Sequence, residues 1–347
     1  MPQLPPLDHV AVMTDGVGII QHAVETVPNR STGYCTDDVA RAFMVMLARL
    51  RLAPRDEQAM SFASTYLSFL ESAQLEDGRF HNFMSYERTW LDDVGTEDSC
   101  GRAMWSLGYG IRHAPTEPWR RVCRTLFDRG LESIDGFTFL RPHAYVLLGL
   151  AHAYPALHDA RYETAFRHLA GVLADAHDAA CSPDWPWFEE TMTYDNARLP
   201  EALIRAGHAL NEPRYADLGL VTLAFCERVT VQDGTFVPIG NDGWYRHGGQ
   251  RALYGQQPLE AAAMIDAELA AYDATGDETR LALAQTALAW FYGKNLRGET
   301  MAHGGGCYDG LEPSGTNRNM GAESTLALLA GAYALAERQR LTLRAVR

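Results

Sequence analysis

The chain is 347 residues long, 47% apolar and 21% charged, and its 30 basic and 44 acidic residues give a formal charge of −14. Those figures describe a folded protein with a sizeable core. They argue against nucleic acid and anionic membrane as partners, which are held through basic surface, and they suit a neutral or cationic small molecule.

Residues 1–10 hold three prolines and no basic-then-apolar run, so no secretory leader is expected. No apolar run approaches the ~18 residues of a membrane span. A cytoplasmic protein is the expectation. Six cysteines are scattered at 35, 100, 123, 181, 226 and 307 without a CxxC pair, so neither a structural zinc site nor a disulfide framework is expected.

The first strong element begins at Thr36. Thr36 suits a helix N-cap, and Asp37 and Asp38 follow in the first turn, where the helix dipole favours acids. Arg41 to Leu52 then runs on as helix formers, apolar on more than one face, as a buried helix would be. The phrase returns at Thr193-Tyr194-Asp195-Asn196-Ala197-Arg198, and more loosely at Thr96-Glu97-Asp98-Ser99-Cys100-Gly101-Arg102. A recurring helix start with a recurring acid marks an internal repeat.

Two kinds of helix alternate from there. Six are rich in Ala, Gly and Leu and follow polar loops: 36–52, 97–113, 140–154, 194–210, 257–273 and 319–337. Five are amphipathic: 55–73, 117–133, 159–178, 213–229 and 277–294. In the third of these, Tyr162, Phe166, Leu169, Val172 and Leu173 form the apolar stripe. Polar landmarks open the first kind: Asp38, Asp98, His143, Asp195, Glu260 and Glu323, separated by 60, 45, 52, 65 and 63 residues. Six helical hairpins of that length predict one all-α domain over residues 1–347, an (α/α)6 toroid with inner helices around an axis. A twelfth helix is missing, and the segment 7–14 is expected to help close the ring. The loops 74–95, 180–193, 230–256 and 295–318 are long enough to be functional. Asp77-Gly78-Arg79-Phe80, Asp233-Gly234-Thr235-Phe236 and Asp135-Gly136-Phe137 predict short β-hairpins on the rim.

All six landmarks fall at the same ends of their helices, so a ring would gather them around one mouth. Asp37, Asp38, Glu97, Asp98, Glu189, Glu190, Asp195, Glu260, Asp309, Glu312 and Glu323 would crowd there, and mutual repulsion would raise some of their pKa values into the range that acid catalysis requires. Asp38, Asp98 and Asp195, with Glu190 in reserve, are the catalytic candidates. Trp185, Trp187, Tyr194 and Tyr308 are expected to stack on sugar rings. Gln256, Gln257, Asn317, Arg318 and Asn319 would bind hydroxyls, together with Asp37, Glu97, His143, Arg198, Glu260, Asp309 and Glu323. Each acid also has a plain structural reading, an ion pair within its own helix: Asp38 with Arg41, Asp98 with Arg102, and Asp195 with Arg198. No metal or organic cofactor is called for. His303-Gly304-Gly305-Gly306 lacks the Gly-Lys-Ser/Thr ending of a phosphate loop.

At Gly33–Ala42, Thr96–Gly108, Trp185–Leu203, Gly255–Ala262 and Gly304–Ser324 the chain resembles a bacterial family of six-hairpin, glycosidase-like proteins, many of them associated with glycosyltransferases or glycosidases. The resemblance covers nearly everything past residue 8 and implies an (α/α)6 barrel acting on carbohydrate. The wider class includes inverting glycoside hydrolases, sugar phosphorylases, uronate-related enzymes and sugar epimerases. One retaining mannanase family in it uses adjacent aspartates, to which Asp37-Asp38 is similar. The expectation is hydrolysis of a short neutral oligosaccharide of manno or gluco type by two carboxylates. The alternatives are an epimerase using His143 with His303 or His247, and a non-catalytic carbohydrate-binding partner of a glycosyltransferase. Oligomeric state is left open.

Overall fold

The computed structural model describes residues 4–345, and among them twelve α-helices. The inner set is α2 (Thr36–Leu52), α4 (Glu97–His113), α6 (Leu140–Leu157), α8 (Arg198–Leu210), α10 (Pro258–Thr275) and α12 (Ala322–Ala345). The outer set is α1 (Asp8–Met13), α3 (Glu57–Ala73), α5 (Glu117–Leu131), α7 (Ala160–Ala180), α9 (Pro213–Thr230) and α11 (Glu278–Trp290). Each inner helix packs on the next, and α12 returns to α2, so the inner ring is closed. The fold is the expected (α/α)6 barrel. Short α1 takes the outer place against α12, held by His9 Nε2 bonded to the Met320 carbonyl at 2.8 Å, and Leu7, Val10 and Met13 are buried beneath it.

Local chemistry explains the boundaries. Asp56, Asp159 and Asp277 cap outer helices by accepting from Ala59 N, Arg161 N and Thr279 N. Helices α6, α8 and α10 end on left-handed residues, His158, Asn211 and Gly276. Two starts differ from the expectation. Thr36 is the first helical residue rather than the cap, and its hydroxyl donates to the His81 carbonyl at 2.6 Å. Helix α8 begins at Arg198, not 194, because Asp195 has φ of 52° and breaks the helical path.

The rim carries short antiparallel strand pairs. Val231–Gln232 and Thr235–Phe236 form the predicted hairpin, with Asp233 and Gly234 both at positive φ, as a type I′ turn requires. The Asp135-Gly136 phrase is instead a 3-10 turn, Ile134–Gly136. Other pairs join loops far apart in sequence: Tyr34–Cys35 with Phe83–Met84, and Thr191–Met192 with Tyr245–Arg246. Among the described residues no helix is long and apolar enough to cross a membrane.

Candidate active site

Helix α2 presents Asp37 and Asp38 at its amino end, Gln257 precedes α10, and α12 contributes Glu323 in its first turn. These residues, with Cys35, Arg41, Asn241, Asp309, Glu312 and Asn317, line a cavity of about 280 Å³ at the mouth of the barrel. Beneath it a second cavity of about 510 Å³ follows the lumen, past Trp105, Tyr109 and Ala330, to the other end of the inner helices. Arg41 and Glu323 border both.

Three arginines hold the floor between them. Arg41 donates to Asp38 Oδ1 at 2.8 Å and to Glu323 Oε2 at 2.7 Å, tying α2 to α12. Arg102 donates to Asp195 Oδ2 at 3.0 Å, and its Nε lies 3.7 Å from Asp37 Oδ1. Arg198 reaches Glu201 at 2.6 Å and Asp266 at 2.8 Å, with its Nε 3.4 Å from Asp195 Oδ1. Arg102 lies over the Tyr145 ring at 4.2 Å and Arg198 over Trp105 at 4.6 Å.

Burial and neighbouring charge separate the acids. Burial pushes Asp38 up to about 7; Arg41 pulls it down, while Glu323 and Asp37 push it further up. Asp37 is also raised by burial, opposed by Arg102 and Arg41. Its Oδ1 has no hydrogen-bond partner among the described residues. Asp309 is raised by burial while its Oδ1 accepts from Gly321 N at 2.8 Å. Burial works upward on Asp195 too, but Arg102 and Arg198 outweigh it and hold that carboxyl below the usual range.

The expected ring of acids is thus divided among several places. Asp37, Asp38, Gln257, Asp309, Asn317 and Glu323 meet at the mouth cavity. Asp195 and Arg198 belong to the floor and the lumen below. Asp195 is 1% exposed, with its oxygens engaged by Arg102, Arg198 and the Tyr145 hydroxyl, so the structure makes it an ionised strut. Glu260, pushed up to about 8 by burial and by Asp195, accepts from Asp195 N and Asn196 N and holds the turn before α8. Asp98 does not pair with Arg102 as expected; it accepts from the Tyr194 hydroxyl at 2.7 Å, and the Tyr194 ring lies beneath Arg141. Glu97 binds Thr138 N, Thr138 Oγ1 and Phe139 N, joining α4 to the loop before α6. Arg141 draws Glu189 to it at 2.8 Å. Glu190 is largely exposed and pairs with Arg246 away from the cavity.

The aromatic expectation needs the larger correction. Trp185 and Trp187 are 2% and 0% exposed and pack with Phe225 and Phe188, so they are core and present no free face to a sugar. Tyr308 stacks on His303. His143 is buried, bonded through Nδ1 to the Phe139 carbonyl at 2.6 Å and kept low in pKa by desolvation. Gln256 is fully buried, with both ends of its amide used by Leu253 O and Trp290 Nε1. Arg318 is exposed on the rim. Gln21, His22, Asn241 and Ser324 line the mouth cavity unannounced by any sequence motif. Gln21 arrives there because its N–H bonds the Gly33 carbonyl at 2.9 Å, laying the segment before α2 along the rim. Among the described residues no cluster of His, Cys, Asp or Glu has the arrangement of a metal site.

No protein-family model matches the chain, and no curated protein matches it. Solved structures share its fold. A sugar epimerase from a ruminal bacterium superposes with a TM-score of 0.74 at 12% identity, over 95% of this chain and 94% of that one. A D-mannose isomerase gives 0.71 at 13%, over 95% of each chain. A GH76 alpha-mannanase from Bacteroides thetaiotaomicron gives 0.70 at 11%, over 96% and 95%. At such identities the likeness shows the (α/α)6 fold and no more.

Proposed function

We propose that this protein is a glycoside hydrolase that cleaves a short neutral oligosaccharide, with Asp37 and Asp38 as the reacting pair. The observation that carries the reading is the state of those two neighbours in one cavity: Asp38 titrates near neutrality, while Asp37 keeps an oxygen without a partner. Burial raises both carboxyls; in this reading Asp38 is the protonated partner and Asp37, whose charge Arg102 and Arg41 favour, the ionised one, the division of labour glycoside cleavage needs. Asp38 protonates the leaving oxygen. Asp37 activates water or attacks the anomeric carbon. Gln257, Asn241 and Asn317 offer amides to the hydroxyls, and Glu323, linked through Arg41, holds the proton donor in place.

A sugar epimerase is the second reading, since solved sugar epimerase and isomerase structures share the fold as the mannanase does. Its proton shuttle needs two bases facing one carbon, commonly histidines. On the inner helices His113 and His152 sit 3.4 Å from each other in the lumen and His143 is tied to Phe139 O, so the histidine that lines the mouth is His22, from the segment before α2, among several carboxylates.

The test is incubation with a panel of manno- and gluco-oligosaccharides, comparing wild type with Asp37→Asn and Asp38→Asn. Release of reducing ends, reduced ~10²-fold or more in both variants, supports the hydrolase. Conversion to an isomer without cleavage would replace it with the epimerase. Binding that is unchanged in both variants and never followed by turnover would leave a carbohydrate-binding protein.

A further inference from the structure

Arg102 occupies an unusual place between the site and the floor. It stands in the second turn of α4 and is 4% exposed. Its guanidinium lies over the Tyr145 ring at 4.2 Å and donates to Asp195 Oδ2 at 3.0 Å, the same oxygen that receives the Tyr145 hydroxyl at 2.7 Å. The group cannot turn without breaking a buried network, and leaving Asp195 uncompensated would be costly. From that fixed position its Nε faces Asp37 Oδ1 at 3.7 Å. That is too long for a hydrogen bond but close enough for strong attraction away from water. The contrast with the neighbouring acid is direct. Arg41 clamps Asp38 at 2.8 Å, whereas Arg102 attracts Asp37 through a buried oxygen, Oδ1, that makes no hydrogen bond.

We propose that Arg102 is the positioning residue of the site: anchored on Tyr145 and Asp195, it draws Asp37 into place from the buried side, through Oδ1, and favours its charged form without hydrogen-bonding it. The proposal rests on the reading of Asp37 as the base. The charged groups acting on Asp37 are Asp38 and Arg41 from its own helix, Asp98 and Arg102 from α4, and Glu323 from α12. Cys35, just before α2, has its thiol 3.7 Å from Asp37 Oδ2 and is held protonated by burial and by the two acids. Arg41 is already shared between Asp38 and Glu323, so Arg102 is the cation left to serve Asp37.

The experiment is a carboxyl 13C NMR titration of the full chain, with the Asp37 signal assigned by its loss in Asp37→Asn. Arg102→Gln raises the Asp37 midpoint by about one pH unit, and Arg102→Lys leaves it within about 0.3 unit of wild type. The acid limb of kcat/KM against pH moves with it. Asp195→Asn works in the opposite direction: it frees the Arg102 charge for Asp37 and lowers the midpoint by about half a unit, a readout that survives if Arg102→Gln does not fold. An Asp37 midpoint unmoved in Arg102→Gln, or in Asp195→Asn where only that variant folds, overturns the proposal. A midpoint that moves while the acid limb stays still upholds the hold of Arg102 on Asp37 and removes Asp37 as the base.

Discussion

Trp187 shows how a residue type can suggest one role and receive another. Beside Glu189 and Glu190 it looks like a sugar platform, yet it is fully buried between Phe188 and Phe225. Trp187→Ala should therefore lower stability by about 3–5 kcal/mol in denaturant unfolding. If the proposed hydrolase activity holds, the KM of the folded variant should not change; a rise in KM without loss of stability would return Trp187 to the binding surface. The acids follow the same logic. Asp38 with Arg41 is legible because both lie on one helix three residues apart. Asp98 with Arg102 looks equally sound, but Tyr194 reaches Asp98 across the ring, and Arg102 turns to Asp195 and Asp37. A partner that arrives from another helix leaves no trace in local spacing.

Helices were the most legible elements. The expected 36–52 and 97–113 coincide with α2 and α4, and the other boundaries differ by three residues or fewer except the start of α8 and the ends of α11 and α12, because apolar periodicity and Asp caps act locally. What the pattern does not say is how close neighbours come. Gly108 on α4 lies against Gly149 on α6, and a Cβ at 108 would sit 2.6 Å from Gly149 Cα, while one at 149 would sit 2.7 Å from the Met104 carbonyl. In an isolated helix Gly108→Ala would gain about 1 kcal/mol. Here it should lower the thermal midpoint instead, since two backbones would have to part. A midpoint that rises would show that the α4–α6 contact yields. The rim was read least well. Its strands pair loops from different hairpins, as Thr191–Met192 does with Tyr245–Arg246, and no single loop contains that information.

Across the molecule, buried carboxyls set the pH dependence. Glu268 on α10 is fully buried beside Glu227 and Arg280, and burial, then Glu227, pushes it up to about 8. Glu260 is likewise raised to about 8 and Asp38 to about 7. A carboxyl whose folded pKa is raised binds protons more tightly when folded. The stability it contributes is complete below its ordinary value near 4.5 and is lost as pH rises through about 8. Asp195, held low, acts on the acid side: its contribution is present above 3.8 and lost below. Thermal unfolding should therefore show a midpoint that declines from about pH 5 to pH 8. Glu268→Gln should flatten that decline by several degrees at pH 8, and an unchanged slope would show that the pair does not titrate as its burial implies.

The amino-acid sequence by itself determined eleven of the twelve described helices, their order and most of their ends, the barrel they form, and the presence of Asp37 and Asp38 at the start of a buried helix. These follow from period, caps and repeat length, which are properties of neighbouring residues. That the segment near residues 7–14 completes the outer set was also expected, from the missing twelfth helix; its place against α12 came from the structure. Only the tertiary structure decided which acids share a cavity. Asp37, Asp38 and Glu323 come together because α12 returns to α2, whereas Asp195, in a matching phrase, is drawn into the floor by Arg102, Arg198 and Tyr145. Similar motifs part in this way because charge in a low-dielectric interior is governed by whatever lies within a few ångströms, and those neighbours come from distant parts of the chain.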